Sequence, residues 1–372
     1  MAKLTGGPGI ATGGAATTQA RIARFPIRQS IQWILIMAIA LGVGLGAWKT
    51  LALPSGQRYS LDAWREFIVL GVAQGAIYAL IALGYSLVYG ILLMINFAHG
   101  EVFMFGAYGS FFVARALDAN GILNRHPIPT LVLLLVVAMI FSTLVAILLE
   151  RIAYRPLRNA PRLVPLITAI GASLFLQNTA RGFFGNQTQG YPEFDVFTNK
   201  SWTILGVPIG RVQVVVILTS LVAMIALQFF VARTKTGRSM RAVSEDREIA
   251  ALMGVNVDRV IMVTFAVGGV LAGIAGVLFA ITFSQVNFFM GFVPGIKAFT
   301  AAVLGGIGSI GGAALGGFIL GLLESVGPPL FLSGAHVPSP FQLKDVIAFT
   351  ILVLVLIFRP GGILGSGEQE KV

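Results

Sequence analysis

Nine stretches of this chain are long and apolar enough to cross a bilayer. They lie near residues 31–53, 67–94, 97–117, 130–150, 163–181, 211–232, 259–283, 309–327 and 343–358. A helix rising 1.5 Å per residue needs about 20 apolar residues to span the hydrocarbon. In lipid every backbone N–H and C=O must be bonded within the protein, which leaves helices or closed barrels. The runs are rich in Leu, Ile, Val, Ala and Gly and do not alternate at period two as barrel strands do. Charged residues make up 11% of the chain, against about a quarter in soluble domains. Mean hydropathy is +0.87, so lipid is the solvent for most of this protein.

The expected fold is an all-α polytopic membrane protein of about 9–10 transmembrane helices, with an inverted repeat and broken or re-entrant helices. The 45 glycines point to close helix contacts. The absence of cysteine excludes disulfides, thiolate chemistry and cysteine-held metals. A further apolar segment, 295–307, is short for a straight crossing and reads as a half-helix or re-entrant piece.

Positive charge sets the expected orientation. Arg151, Arg155, Arg158 and Arg162 lie between two runs. Arg233, Lys235, Arg238, Arg241, Arg247 and Arg259 lie between another two. Both groups belong on the cytoplasmic side together with the N-terminus. The net charge of +11 collects between apolar runs, which fits a membrane face and not a nucleic-acid groove. Residues 1–30 read as a disordered basic tail and 31–53 as an extra, retained N-terminal helix. The transmembrane domain covers 54–365, with a cytoplasmic loop at 233–258 and a tail at 366–372. Counting 295–307 as a crossing puts the C-terminus in the cytoplasm after Arg359.

"GVAQGAIYALIALGYSLVYG" and "FAVGGVLAGIAGVLFAITF" share length and small-residue texture and are expected to run in opposite directions. A polar or glycine-rich break follows each: NFAHGE in one half, LGGIGSIGG in the other. Paired, interrupted spans of opposite sense mark the midplane site of many transporters.

NFAHGE places Asn96, His99 and Glu101 between two apolar runs, where none can face lipid cheaply. In one reading Asn96 caps a helix starting at Phe97, His99 packs, and Glu101 sits favourably in the first turn. In the other these groups line or gate a path. His99 and Glu101 stand out as the buried acid–base candidates, and no cluster of metal ligands accompanies His99. The second break offers Gly305, Gly306, Gly308 and Ser309. It lacks the ending of a phosphate loop. It reads either as an unwound, substrate-lining segment or as a tight packing crossing. The loop from Thr234 to Gly254 is amphipathic and mixed in charge, with Gly254 placed to end a short helix. It is either a solvated loop or a helix that docks on a cytosolic partner.

Four stretches then carry a resemblance: "GVAQGAIYALIALGYSLVYGILLMINFAHGE", "SMRAVSEDREIAALMGVNVDRV", "GIKAFTAAVLGGIGSIGGAALGG" and "FRPGGILG". Together, over about 67–365, the chain resembles the LivH-type inner-membrane permeases of bacterial branched-chain amino acid ABC transporters. The resemblance implies a permease that moves branched-chain or other neutral amino acids by alternating access and is not itself an enzyme. It implies a LivM-like second permease, two cytosolic ATPase subunits and a periplasmic substrate-binding protein as partners, with membrane lipid around and no nucleic acid. No cofactor is expected in this chain; ATP and Mg belong to the partner subunits. The 238–254 segment resembles the coupling helix, with Arg241, Glu245, Glu248, Ala250 and Gly254 as its expected residues. Ile249 replaces the first alanine of the E-A-A-x-x-x-G pattern. Urea and short-amide importers have similar permeases, and a self-contained secondary transporter or channel is the alternative of another class.

Overall fold

The computed structural model describes residues 27–54, 58–158, 160–161, 163–197, 201–204, 207–335, 337–359 and 361–365. Residues 1–26 of the expected tail, Arg162 and the tail 366–372 lie outside them. The chain divides into two units, Met1–Leu45 and Gly46–Val372. Helix α1 (Ile27–Leu51) begins in the first and ends in the second.

The second unit is helical almost throughout. It contains α2 (Leu61–Leu92), α3 (His99–Ala119), the single-turn α4 (Ile122–Arg125), α5 (Pro127–Leu149), α6 (Leu163–Phe184), α7 (Arg211–Arg233), α8 (Lys235–Glu245) and α9 (Arg247–Leu252). It continues with α10 (Val257–Phe283), α11 (Phe292–Gly305), α12 (Ile310–Leu332) and α13 (Lys344–Phe358). Among the described residues eight helices are long and apolar enough to cross a membrane, and α11 is a shorter apolar one. The expected spans from 67–94 onward fall on these eight helices, while 31–53 falls on α1. Two small antiparallel ribbons join helix ends: Gln189–Gly190 pairs with Gln285–Val286, and Ser201–Ile204 with Val207–Gly210.

Helices α2 and α10 are the most enclosed of the long helices, and α13 the least. Small residues let backbones touch, since packing and not hydrophobicity drives association in lipid. The ideal Cβ of Gly71 would lie 3.0 Å from Leu322 Cα, and that of Gly75 2.8 Å from Phe318 Cα, where α2 packs on α12. Gly269 and Gly273 give α10 the same closeness to Thr143 and Ala138 of α5.

The repeat shows in how α2 and α10 end. Leu93 (φ 54°) and Ser284 (φ 51°) follow them, the two non-glycine residues with positive φ among those described. A short break and a new helix come next in both cases. The counterpart of the NFAHGE break is therefore 284–291, not LGGIGSIGG, which lies one helix later. Length gives the reason. At 1.5 Å per residue the 14 residues of α11 reach about 21 Å, short of a roughly 30 Å hydrocarbon core. A helix of this length must be continued by non-helical chain if the segment is to reach across.

The C-terminal stretch closes on α11. Ile363 N donates to Leu304 O (2.9 Å) and Leu364 N to Gly305 O (2.8 Å), satisfying carbonyls that a helix end leaves orphaned. This puts residues 361–365 on the face that also holds the end of α2, where Gly90 approaches Gly308.

Candidate functional site at the junction of two broken helices

Helices α3 and α11 start at one point and run apart. A Cβ on Gly100 would strike the carbonyl of Gly291 and lie 3.2 Å from Gly295 Cα. Gly100 thus permits a close backbone approach. The His99 ring fills the gap left by Gly84 of α2 and reaches toward Gly268 of α10. Gly84 lies eight residues before Leu92, about 12 Å along α2. The junction thus lies well inside the length of α2, away from its end.

Asn96 does not cap. Helix α3 starts at His99 with Ala98 at the N-cap, and Asn96 Oδ1 instead accepts from Tyr154 Oη at 2.6 Å. Tyr154 closes a π-helical turn, Glu150–Tyr154, that extends α5. Its hydroxyl holds the break against α5, so the cap oxygen is already taken. Tyr154→Phe should leave Asn96 Oδ1 buried without this donor. We expect a loss of about 1–3 kcal/mol, read as a lowered thermal midpoint in detergent.

His99 is 2% exposed and stands edge-on to Tyr85, ring centroids 4.9 Å apart. Its Nε2 makes no hydrogen bond to the protein. Glu101 is in the first turn of α3, as expected, and is 1% exposed. Its Oε1 accepts from Gln177 Nε2 (2.7 Å) and Ser173 Oγ (3.1 Å) of α6. That explains how α6 tolerates Gln177 in a membrane: the amide faces Glu101, not lipid. Asn178, on the outer side, donates to its own helix at Leu174 O. Beside this cluster lies a cavity of about 260 Å³.

The second break packs instead of lining that cavity. Gly305 lies against Gly312, and Gly306 (φ 109°) against Gly365. Gly308 N donates to Ser86 Oγ (2.8 Å), and Ser309 Oγ caps α12 by accepting from Gly312 N (3.1 Å).

His99 and Glu101 are not the only buried charged candidates. Lys297 of α11 is 3% exposed, and its Nζ lies 3.0 Å from Glu324 Oε1 of α12 and 2.5 Å from Asp345 Oδ1 of α13. Glu324 Oε2 accepts from Tyr78 Oη (2.8 Å) and Gln74 Nε2 (3.1 Å) of α2. The signal was in plain view: one lysine inside "GIKAFTAAVLGG" and one glutamate inside "GLLESVG". An ionisable residue within a span calls for a partner.

The 238–254 segment is two helices and not one. Asp246 is extended (φ −153°, ψ 118°) and caps α9 by accepting from Glu248 N (2.8 Å) and Ile249 N (2.9 Å). A carboxylate at that position starts a helix afresh. Gly254 (φ 82°) ends α9, with Val255 N donating to Ala250 O at 3.0 Å, a Schellman arrangement. Arg241, Glu245 and Glu248 are exposed, while Ala250 is buried. Exposed Ile249, Leu252 and Met253 leave an apolar edge on α9. Arg247 Nε donates to Ile91 O (3.0 Å) at the end of α2. Burial, and after it the charge of Arg158, holds the Arg247 pKa below the usual arginine value. Arg158 itself pairs with Glu150 and Asp258. A cavity of about 670 Å³ opens between α9, the end of α2 and the start of α6.

LivH, the high-affinity branched-chain amino acid transport system permease protein of Salmonella typhimurium, is 44% identical over 311 residues, covering 81% of this chain and 96% of its own length. LivH of Escherichia coli strain K12 matches to the same extent. BraD of Pseudomonas aeruginosa is 44% identical over 310 residues, covering 82% and 97%. Among solved structures, PsaBC from Streptococcus pneumoniae in complex with Fab aligns at 16% identity with a TM-score of 0.38, over 81% of this chain and 91% of that one. Residues 67–356 match the family described as branched-chain amino acid transport system / permease component. With that match and the 44% identity, this polytopic inner-membrane protein belongs to the branched-chain amino acid transport system permease family.

Proposed function

We propose that this chain is the membrane-spanning subunit of an ATP-driven importer that moves branched-chain or other neutral amino acids by alternating access. Its partners are a LivM-like second permease, two cytosolic ATPase subunits and a periplasmic binding protein. ATP and Mg act in the ATPase subunits. The basic face carrying α8 and α9 is cytoplasmic.

The observation that carries the reading is the tie between α9 and the broken helix. Exposed Ile249, Leu252 and Met253 offer a docking edge, and Arg247 fastens the same helix to Ile91 of α2. Five residues after Ile91 comes Asn96, the start of the break, held by Tyr154. A partner that moves α9 thus moves the end of α2 and the residues leading to the junction. Asn96, His99 and Glu101 belong to the gate in this reading. Gly305, Gly306, Gly308 and Ser309 give the close packing that lets α11 and α12 move as one piece.

The test is reconstitution of the complex with co-expressed neighbouring genes, assayed for ATP-dependent uptake of labelled leucine, alanine and urea. Uptake that needs ATP and the binding protein supports the reading. Uptake without ATP points to a secondary transporter, and urea uptake changes the cargo. Glu248→Arg should reduce coupled uptake by roughly tenfold or more, since a like-charge juxtaposition across a docked interface is strongly unfavourable. Membrane insertion should be unchanged by immunoblot.

A further inference from the structure

The cavity beside the junction draws its walls from four elements. Tyr85 comes from α2, Phe97 from the first break, Ser173 and Leu174 from α6, and Phe292 and Ile296 from α11. Both interrupted segments therefore contribute to it. Cavities between discontinuous helices are where transporters hold cargo. Its volume of about 260 Å³ gives room for roughly nine water-sized groups, the size of an aliphatic amino acid.

The chemistry of the walls is one-sided. Ser173 and the phenol of Tyr85 are the polar members among these six. The Ser173 hydroxyl donates to Glu101 Oε1 at 3.1 Å and accepts from Gln177 Nε2 at 3.4 Å, which leaves one lone pair to accept a hydrogen bond from a ligand. Behind it stands a carboxylate whose Oε2 has no hydrogen-bond partner in the protein. Acceptor oxygens on this floor suit a donating ammonium better than a second carboxylate on the cargo. The aromatic and aliphatic walls would strip water from a charged side chain without replacing its hydrogen bonds. A branched aliphatic side chain meets neither penalty. Sites of this build, mostly apolar with one or two placed polar groups, are typical for small ligands.

We infer that this cavity is a second reader of the cargo, within the membrane: a zwitterionic amino acid lays its aliphatic side chain against Leu174, Phe292 and Ile296, and its ammonium donates to Ser173 Oγ. The inference rests on the importer reading above. It makes selectivity a property of this subunit as well as of the protein that delivers the cargo.

The absence of cysteine from the chain makes the test direct. Ile296→Cys supplies a single thiol on the cavity wall. In the reconstituted complex, its modification by a small methanethiosulfonate reagent is timed with and without leucine. Leucine at ten times its half-saturating concentration should slow the reaction about tenfold, while lysine and glutamate leave it unchanged. An unchanged rate in a preparation that takes up leucine overturns the inference. So does a thiol that never reacts, which would mean that a helix of the second permease fills the cavity. Failure of the wild-type complex to take up leucine would count against the importer reading instead. Leu174→Cys, on the exposed side of α6, gives the same measurement if Ile296→Cys fails to assemble. As an independent measurement, Ile296→Trp should lower uptake of leucine relative to alanine by about tenfold, the scale of a filled apolar pocket. An unaltered ratio would overturn the inference as well.

Discussion

Replacing Lys297 by methionine is expected to remove most of the folded protein from the membrane. The Lys297 side chain is 3% exposed and that of Glu324 is 0% exposed. Lys297 Nζ is shared between Glu324 and the half-exposed Asp345. Without it, Glu324 keeps only the neutral donors Tyr78 and Gln74. Breaking a buried ion pair from one side costs about 3–5 kcal/mol, a large share of the roughly 5–15 kcal/mol that holds a folded protein together. Removing both charges is a different matter, because an apolar pair of similar volume is often as stable as the ion pair it replaces. Lys297→Met combined with Glu324→Leu should therefore recover much of the yield. The measurement is the amount of monodisperse protein extracted in mild detergent, together with its thermal midpoint. A single variant as stable as the wild type would refute the account.

Gly100→Val should abolish transport. The added Cβ has nowhere to go: Gly291 O occupies its position and Gly295 Cα lies 3.2 Å away. Both obstacles are backbone at the start of a helix, so no side chain can turn aside. Overpacking a tight core costs about 1–3 kcal/mol and occasionally more, and here the strain falls on the point where α3 and α11 meet. Gly171→Ala serves as the control. It lies in α6 with nothing within 4 Å of its ideal Cβ, and alanine should favour the helix by about 1 kcal/mol. Uptake by proteoliposomes and thermal midpoints of both variants test the contrast. A Gly100→Val protein that transports normally would show that the junction opens freely.

Much of the fold was legible from the runs themselves. The extra turns at the start of α2 and the end of α12 were not, because Trp64, Arg65 and Glu66, and later Pro328 and Pro329, interrupt the apolar pattern without ending the helix. Asp246 was equally hard to read. Its carboxylate could belong to the middle of one amphipathic helix or to the start of a second, and only its extended backbone decides for the second. Within the junction, the residue types of NFAHGE announced a polar break, yet Asn96 looked like a cap because its competing donor, Tyr154, is 58 residues away. Lys297 and Glu324 were visible as charges in apolar runs; that they answer one another was not.

By itself the sequence determined the solvent, the helices, the face that carries positive charge and the positions of both breaks. These follow from local physics: in lipid a helix bonds each N–H to a carbonyl four residues back, so composition over about 20 residues suffices. Only the tertiary structure decided that the first break meets 284–291 and not LGGIGSIGG, that Glu101 is held by α6, and that a cavity opens where the two helix starts diverge. Those contacts join residues far apart in the chain. They depend on crossing points and registers set by which glycines face each other, and no local pattern carries that information.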